Sequence, residues 1–103
     1  MKASPAFELF AKEAPKHQQA WMNAVKAIGE ASALDTKTQH LAYLAVLAAE
    51  ELQNGIPFHV KLAKKAGASR DEVISALLVG LPAVGHRVTA ALPPAITAYD
   101  EPD

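Results

Sequence analysis

Between Leu34 and Gly67 the chain reads LDTKTQHLAYLAVLAAEELQNGIPFHVKLAKKAG, two apolar runs of helical period interrupted once, at Asn54-Gly55-Ile56-Pro57. Apolar side chains three and four positions apart fall on one stripe of a helix. Asn-Gly is a turn signal, and proline presets the first turn of the helix that follows it. The pattern therefore predicts two antiparallel helices joined by a short, rigid connector. Asp35 or Thr36 is placed to cap the first, which is expected to run from about Lys37 to Gln53. Leu41, Leu44, Val46, Leu47 and four alanines leave it almost no polar face before Glu50. It is accordingly expected to be central and buried on most sides.

The flanking segments carry the same period. Ser4-Pro5 is an N-cap followed by proline at the first helical position, where its missing N–H costs nothing, and Phe7, Phe10 and Ala11 recur at helical spacing. A second helix is predicted from Pro15 through Trp21, Val25 and Ile28, ending or fraying at Gly29. After the pair, Gly67 is suited to a left-handed C-cap. Ser69-Arg70-Asp71-Glu72 is a capping box ahead of the apolar face Val73, Ile74, Leu77, Leu78 and Leu81. Pro82 is expected to break or kink that helix, Val84 to Leu92 to resume it, and Ala95 to Tyr99 to form a last short one. No period-2 alternation is present, so the fold class is all-α, a compact bundle of about six helices. Residues 1–103 are read as a single domain, with N-terminal helices over 1–33 and the main body over 34–92.

Composition excludes several kinds of function. With ten basic and eleven acidic residues the chain lacks the field that would draw it to nucleic acid or an anionic membrane. It has no cysteine, which removes disulfides, thiolate metal sites and cysteine nucleophiles. The segment MKASPAFELFAKEA has no uninterrupted apolar core of the kind a signal peptide needs, and no apolar run reads as a bilayer span, so a cytoplasmic location is expected. The apolar residues of the third and fifth helices exceed what a chain of this size easily covers, which predicts a homo-oligomer.

The run LDTKTQHLAYLAVLAA, a histidine near the start of the next helix, GASRDEVISALL and VGLPAVGH follow one another in an order and spacing that resembles the carboxymuconolactone decarboxylase family. Its wider superfamily includes the AhpD-type alkylhydroperoxidases, so an AhpD-like helical fold is implied, and trimers or hexamers with it. AhpD-type relatives carry a CxxC pair whose positions fall here at Leu52 and Gly55, and neither residue can be oxidised. Cysteine-dependent peroxidase activity is therefore not expected. The resemblance aligns His59 and His86 with histidines of the decarboxylase branch, whose members usually have an acidic residue where this chain has His40.

What the resemblance implies is a lyase acting on a small unsaturated carboxylic acid or lactone. Loss of carbon dioxide leaves an enolate that needs hydrogen-bond donors and then a proton, and imidazole can serve both purposes. His59, His86 and His40 are the candidate catalytic residues, and Arg87 the candidate for holding a substrate carboxylate. No cofactor is implied. Two alternatives stay open: a metal site built from His40, His59 and His86 with Glu50 or Glu51, and a non-enzymatic oligomeric module that binds a small ligand. His17 reads as a surface residue of the second helix.

Overall fold

In a computed structural model that describes residues 3–102, Ser4 accepts a hydrogen bond from the N–H of Phe7 at 3.2 Å and opens α1, Pro5–Glu13. Proline at position 15 disfavours helical backbone in the residue before it, and Ala14 is indeed non-helical, so α1 stops there and α2, Pro15–Ala31, begins. Gly29 does not end α2, which continues two residues further. The carboxylate of Asp35 accepts from the N–H of Thr38 at 2.8 Å and starts α3, Thr36–Ala49.

α3 ends four residues before its periodicity predicts, at Ala49 instead of Gln53. Glu51 takes a left-handed conformation (φ 57°), and the N–H groups of Glu51 and Leu52 donate to the carbonyls of Ala48 and Leu47 at 3.3 and 2.9 Å. That is a Schellman ending, and it satisfies carbonyls that would otherwise be orphaned. Gln53–Gly55 then form one 3-10 turn, and α4 spans Ile56–Lys65 with Pro57 in its first turn. The same ending recurs at Gly67 (φ 98°), where the N–H of Ala68 reaches the carbonyl of Ala63 at 3.0 Å.

The capping box at Ser69 is present in both directions, and it starts α5, Arg70–Leu77. Pro82 does not break this helix from within. The helix has already ended at Leu77, and Pro82 sits in the first turn of α6, Leu81–Val84, where a missing N–H is harmless. Gly85–Ala91 winds as a 3-10 segment rather than resuming an α-helix, and Pro93 and Pro94 fall in the first turn of α7, Leu92–Asp100, which therefore starts before Ala95. By length and composition alone Arg70–Asp100 is apolar enough to cross a membrane; in the fold that stretch is divided among α5, α6, the 3-10 segment and α7. No strand occurs among the described residues, and the fold is all-α as the periodicity predicts.

α3 lies against both α4 and α5, and α7 packs along α4. The fully enclosed side chains are Leu44, Ile56, Val60, Val73, Leu77 and Val88, with alanines from α3, α4, α5 and α7 allowing the backbones to approach closely. α7 is pinned by polar contacts at its end: Tyr99 donates its hydroxyl to the carbonyl of Ala68 at 2.8 Å, and Arg70 holds both carboxylate oxygens of Asp100 at 2.9 and 3.1 Å. The hydroxyl bond is partly buried and contributes about 1 kcal/mol, whereas the ion pair is solvated and worth less.

The α1–α2 hairpin is arranged differently. Neither helix has a buried residue, and α2 lies mainly against α1. Its stripe, predicted from Trp21, Val25 and Ile28, is real but remains open: Trp21 is 57% and Ile28 67% exposed. α3 is likewise not buried on most sides. Leu44, Leu47 and Ala48 face the core, while Tyr43 and Val46 face out. The radius of gyration, 13.9 Å, exceeds the roughly 13 Å expected for this length, as a projecting hairpin requires.

Candidate functional site

Proline in the first turn of α4 and the 3-10 turn before it place His59 one turn into the helix, on the side that faces α2 rather than the core. Its imidazole is half-buried. The ring of Tyr43, projecting from α3, lies over it with centroids 4.4 Å apart and planes tilted by 36°, and Phe58 meets it edge-on at 5.3 Å. Gly55 lies against the same ring: a Cβ there would stand 3.7 Å from His59 and 3.5 Å from Leu47, in ordinary contact.

These residues form one wall of a cavity of about 300 Å³. The opposite wall comes from the hairpin, chiefly Phe7 of α1 and Trp21, Met22 and Val25 of α2. Asn54 and Ser4 complete the rim, and among the described residues no Asp, Glu, Lys or Arg side chain lines it. The volume is at the small end of the range for ligand pockets. A shallower recess over Glu51–Gly55 adjoins it but has no histidine.

Burial lowers the pKa of His59 below the ordinary imidazole value, and repulsion from His40, one turn before Tyr43 on α3, lowers it further. His59 is thus neutral at pH 7, with one nitrogen able to donate and the other to accept. Its ring makes no hydrogen bond to another described residue, and no buried side-chain nitrogen or oxygen among them is left unpaired. Its polar atoms are therefore available to whatever enters the cavity.

The other candidates lie elsewhere. His40 is half-buried on α3 and acts on His59 through charge, without lining the cavity. His86 is exposed in the 3-10 segment, where its carbonyl accepts from the Thr89 hydroxyl at 2.7 Å. Arg87, also exposed, extends its guanidinium toward the carbonyl of Ala49 at the end of α3, at 3.5 Å. The structure brings His59 and His40 into electrostatic reach, and it does not bring His86 or Arg87 to the cavity. No three His, Asp or Glu side chains among the described residues are grouped to hold a metal ion, so the set of His40, His59 and His86 with Glu50 or Glu51 has no geometric support. His17 is exposed on α2, as expected.

Sequence reasoning missed the aromatic wall. Tyr43 stands three residues after His40 and so shares its helix face, a spacing that was legible. Trp21 and Phe7 were legible only as helix stripes, because their proximity to His59 depends on how the hairpin folds back.

A sequence model of the carboxymuconolactone decarboxylase family matches residues 15–97. The chain belongs to that family. The match takes in α2 as well as the 34–92 body, so the His59 wall and the α2 part of the hairpin wall lie within the family region, while Phe7 of α1 lies outside it. Among solved structures, the chain is similar to the apo form of a carboxymuconolactone decarboxylase family protein from Legionella pneumophila, at 25% identity and a TM-score of 0.78, over 92% of this chain and 85% of that one. No curated protein sequence matches.

Proposed function

We propose that this carboxymuconolactone decarboxylase family member binds a small molecule in the cavity between the α1–α2 hairpin and α4, with His59 as the group that exchanges a hydrogen bond or a proton with it. The observation that carries this reading is the half-buried imidazole with free polar atoms at the wall of a 300 Å³ cavity. A neutral imidazole is a competent base near neutrality and a weak acid, so its natural role is to accept a proton or to steady a developing oxyanion through its N–H.

The reading is tested by following the ring C2–H resonances of the four histidines while small ring compounds are added. His59 is expected to shift and His17 and His86 to stay. A ligand that leaves His59 unmoved and shifts His86 instead would overturn it.

A second reading is favoured by family membership: a carboxy-lyase acting on an unsaturated carboxy-lactone. In it, the C–C bond to the carboxylate would break with its electron pair passing into the enolate, the His59 N–H would steady the enolate oxygen, and the carbon would take its proton from water. His59→Ala would then abolish carbon dioxide release while leaving helicity unchanged, and full activity in that variant would dispose of it. Retained activity in His86→Ala would remove His86 from the catalytic set.

A further inference from the structure

We infer that the His59 cavity selects a flat, uncharged ring compound bearing one hydroxyl or carbonyl group, and discriminates against the same ring bearing a carboxylate. The inference deepens the ligand-site reading and rests on it. It also separates this chain from carboxylate chemistry, because an uncharged ring has no carboxylate to lose.

The first observation is the lining. Of the six Phe, Tyr and Trp residues in the chain, Phe7, Trp21, Tyr43 and Phe58 face this one cavity. Aromatic walls favour flat partners, which stack or meet them edge-on at centroid distances of roughly 4.5–7 Å, and gain beyond simple area burial. Met22 adds a polarizable side chain that adapts to a ring edge.

The second observation is the lack of a cation among the described residues of the lining: none of them is Lys or Arg. Arg87 points at the end of α3, and Lys37, Lys61 and Lys64 are engaged with Glu72, the Glu101 carbonyl and the Tyr99 carbonyl. An ionised carboxylate leaving water for an apolar wall needs a charge partner as well as hydrogen bonds to offset its desolvation. The remaining donors on the rim, the Ser4 hydroxyl and the Asn54 amide, are uncharged and supply hydrogen bonds without a counter-charge. His59 would have to be protonated to pair with an anion, and both its burial and the neighbouring His40 oppose that. One hydroxyl or carbonyl on the ring, by contrast, matches the one donor and one acceptor that a neutral imidazole offers.

The chain has a single tryptophan, and it lines the cavity, so excitation at 295 nm reads occupancy directly. The probes are p-cresol, 4-methylbenzamide and 4-methylbenzoate at pH 7.5, three rings of one size of which only the last is charged. Saturable changes in Trp21 emission are expected with the first two, and binding at least tenfold weaker with 4-methylbenzoate. If 4-methylbenzoate binds as tightly as the amide, the selectivity argued here is overturned while the ligand site stands. If none of the three alters Trp21 emission or shifts the His59 resonance up to millimolar concentration, both the selectivity and the ligand-site reading fall.

Discussion

Replacing Tyr43 with alanine tests the link between packing and protonation at this site. Tyr43 is 47% exposed, so about half of the 150–250 Å² that an aromatic side chain can bury is already shielded, mostly against the imidazole 4.4 Å away. Losing about 100 Å² of burial at ~25 cal/mol per Å², less the part alanine retains, costs ~2 kcal/mol of stability. The same change admits water to one face of His59. Burial is the larger cause of its lowered pKa, so the value moves back up toward 6.5. Tyr43→Phe keeps the ring and is expected to stay within about 0.5 kcal/mol of the parent, with the His59 pKa nearly unchanged. Urea unfolding followed by circular dichroism gives the stability. A pH titration of the imidazole C2–H resonances gives the pKa, with His17 as the exposed reference on the same spectrum. An unchanged His59 pKa in Tyr43→Ala, with a stability loss under 0.5 kcal/mol, would show that the ring does not shield the imidazole and would refute the reasoning.

Because the folded pKa of His59 lies below its unfolded value, its contribution to stability is full above pH 6.5 and is lost as the pH falls through the folded value; Asp35, Glu72 and Asp100, all lowered, add to the loss near pH 4. In His59→Gln the first part of that loss, setting in as the pH falls below 6.5, is expected to disappear from urea titrations. The two left-handed helix ends should respond oppositely: Glu51→Gly relieves an L-residue at φ 57° and stabilises by up to about 1 kcal/mol, whereas Gly67→Ala at φ 98° costs about that much although nothing stands within 4 Å of the added methyl. We propose that a second copy of this chain covers the outward stripe of α2 and α3. Ile28 and Val46, 67% and 57% exposed, lie on that stripe outside the cavity lining and are the side chains such a contact would cover. Light scattering should report a mass above the monomer and Ile28→Glu should lower it; a monomer at micromolar concentration contradicts the proposal.

The helices themselves were legible because each rests on local rules. Ser4-Pro5, Asp35 and the Ser69–Glu72 box start helices through bonds made within four residues, and the apolar period names which face turns inward. Prolines were harder to read. Pro82, Pro93 and Pro94 each allow either a break or a first turn, and the choice was made by where the preceding helix had already ended. The end of α3 was misjudged for a similar reason: Glu51 is an ordinary helix former by propensity, and only the Schellman bonds to Leu47 and Ala48 hold it left-handed.

For the site, the sequence by itself determined the absence of thiol chemistry, since a residue type that is missing cannot be supplied by folding. Tertiary structure decided the rest. Four histidines of one chemical type could not be ranked by sequence, because what distinguishes them is water access. Folding back the hairpin put Phe7 and Trp21 opposite His59 and left His86 and Arg87 in solvent at the far end of α3. Burial and the approach of two like groups, His40 and His59, are properties of distance through space, and those set the protonation state on which any chemistry here depends.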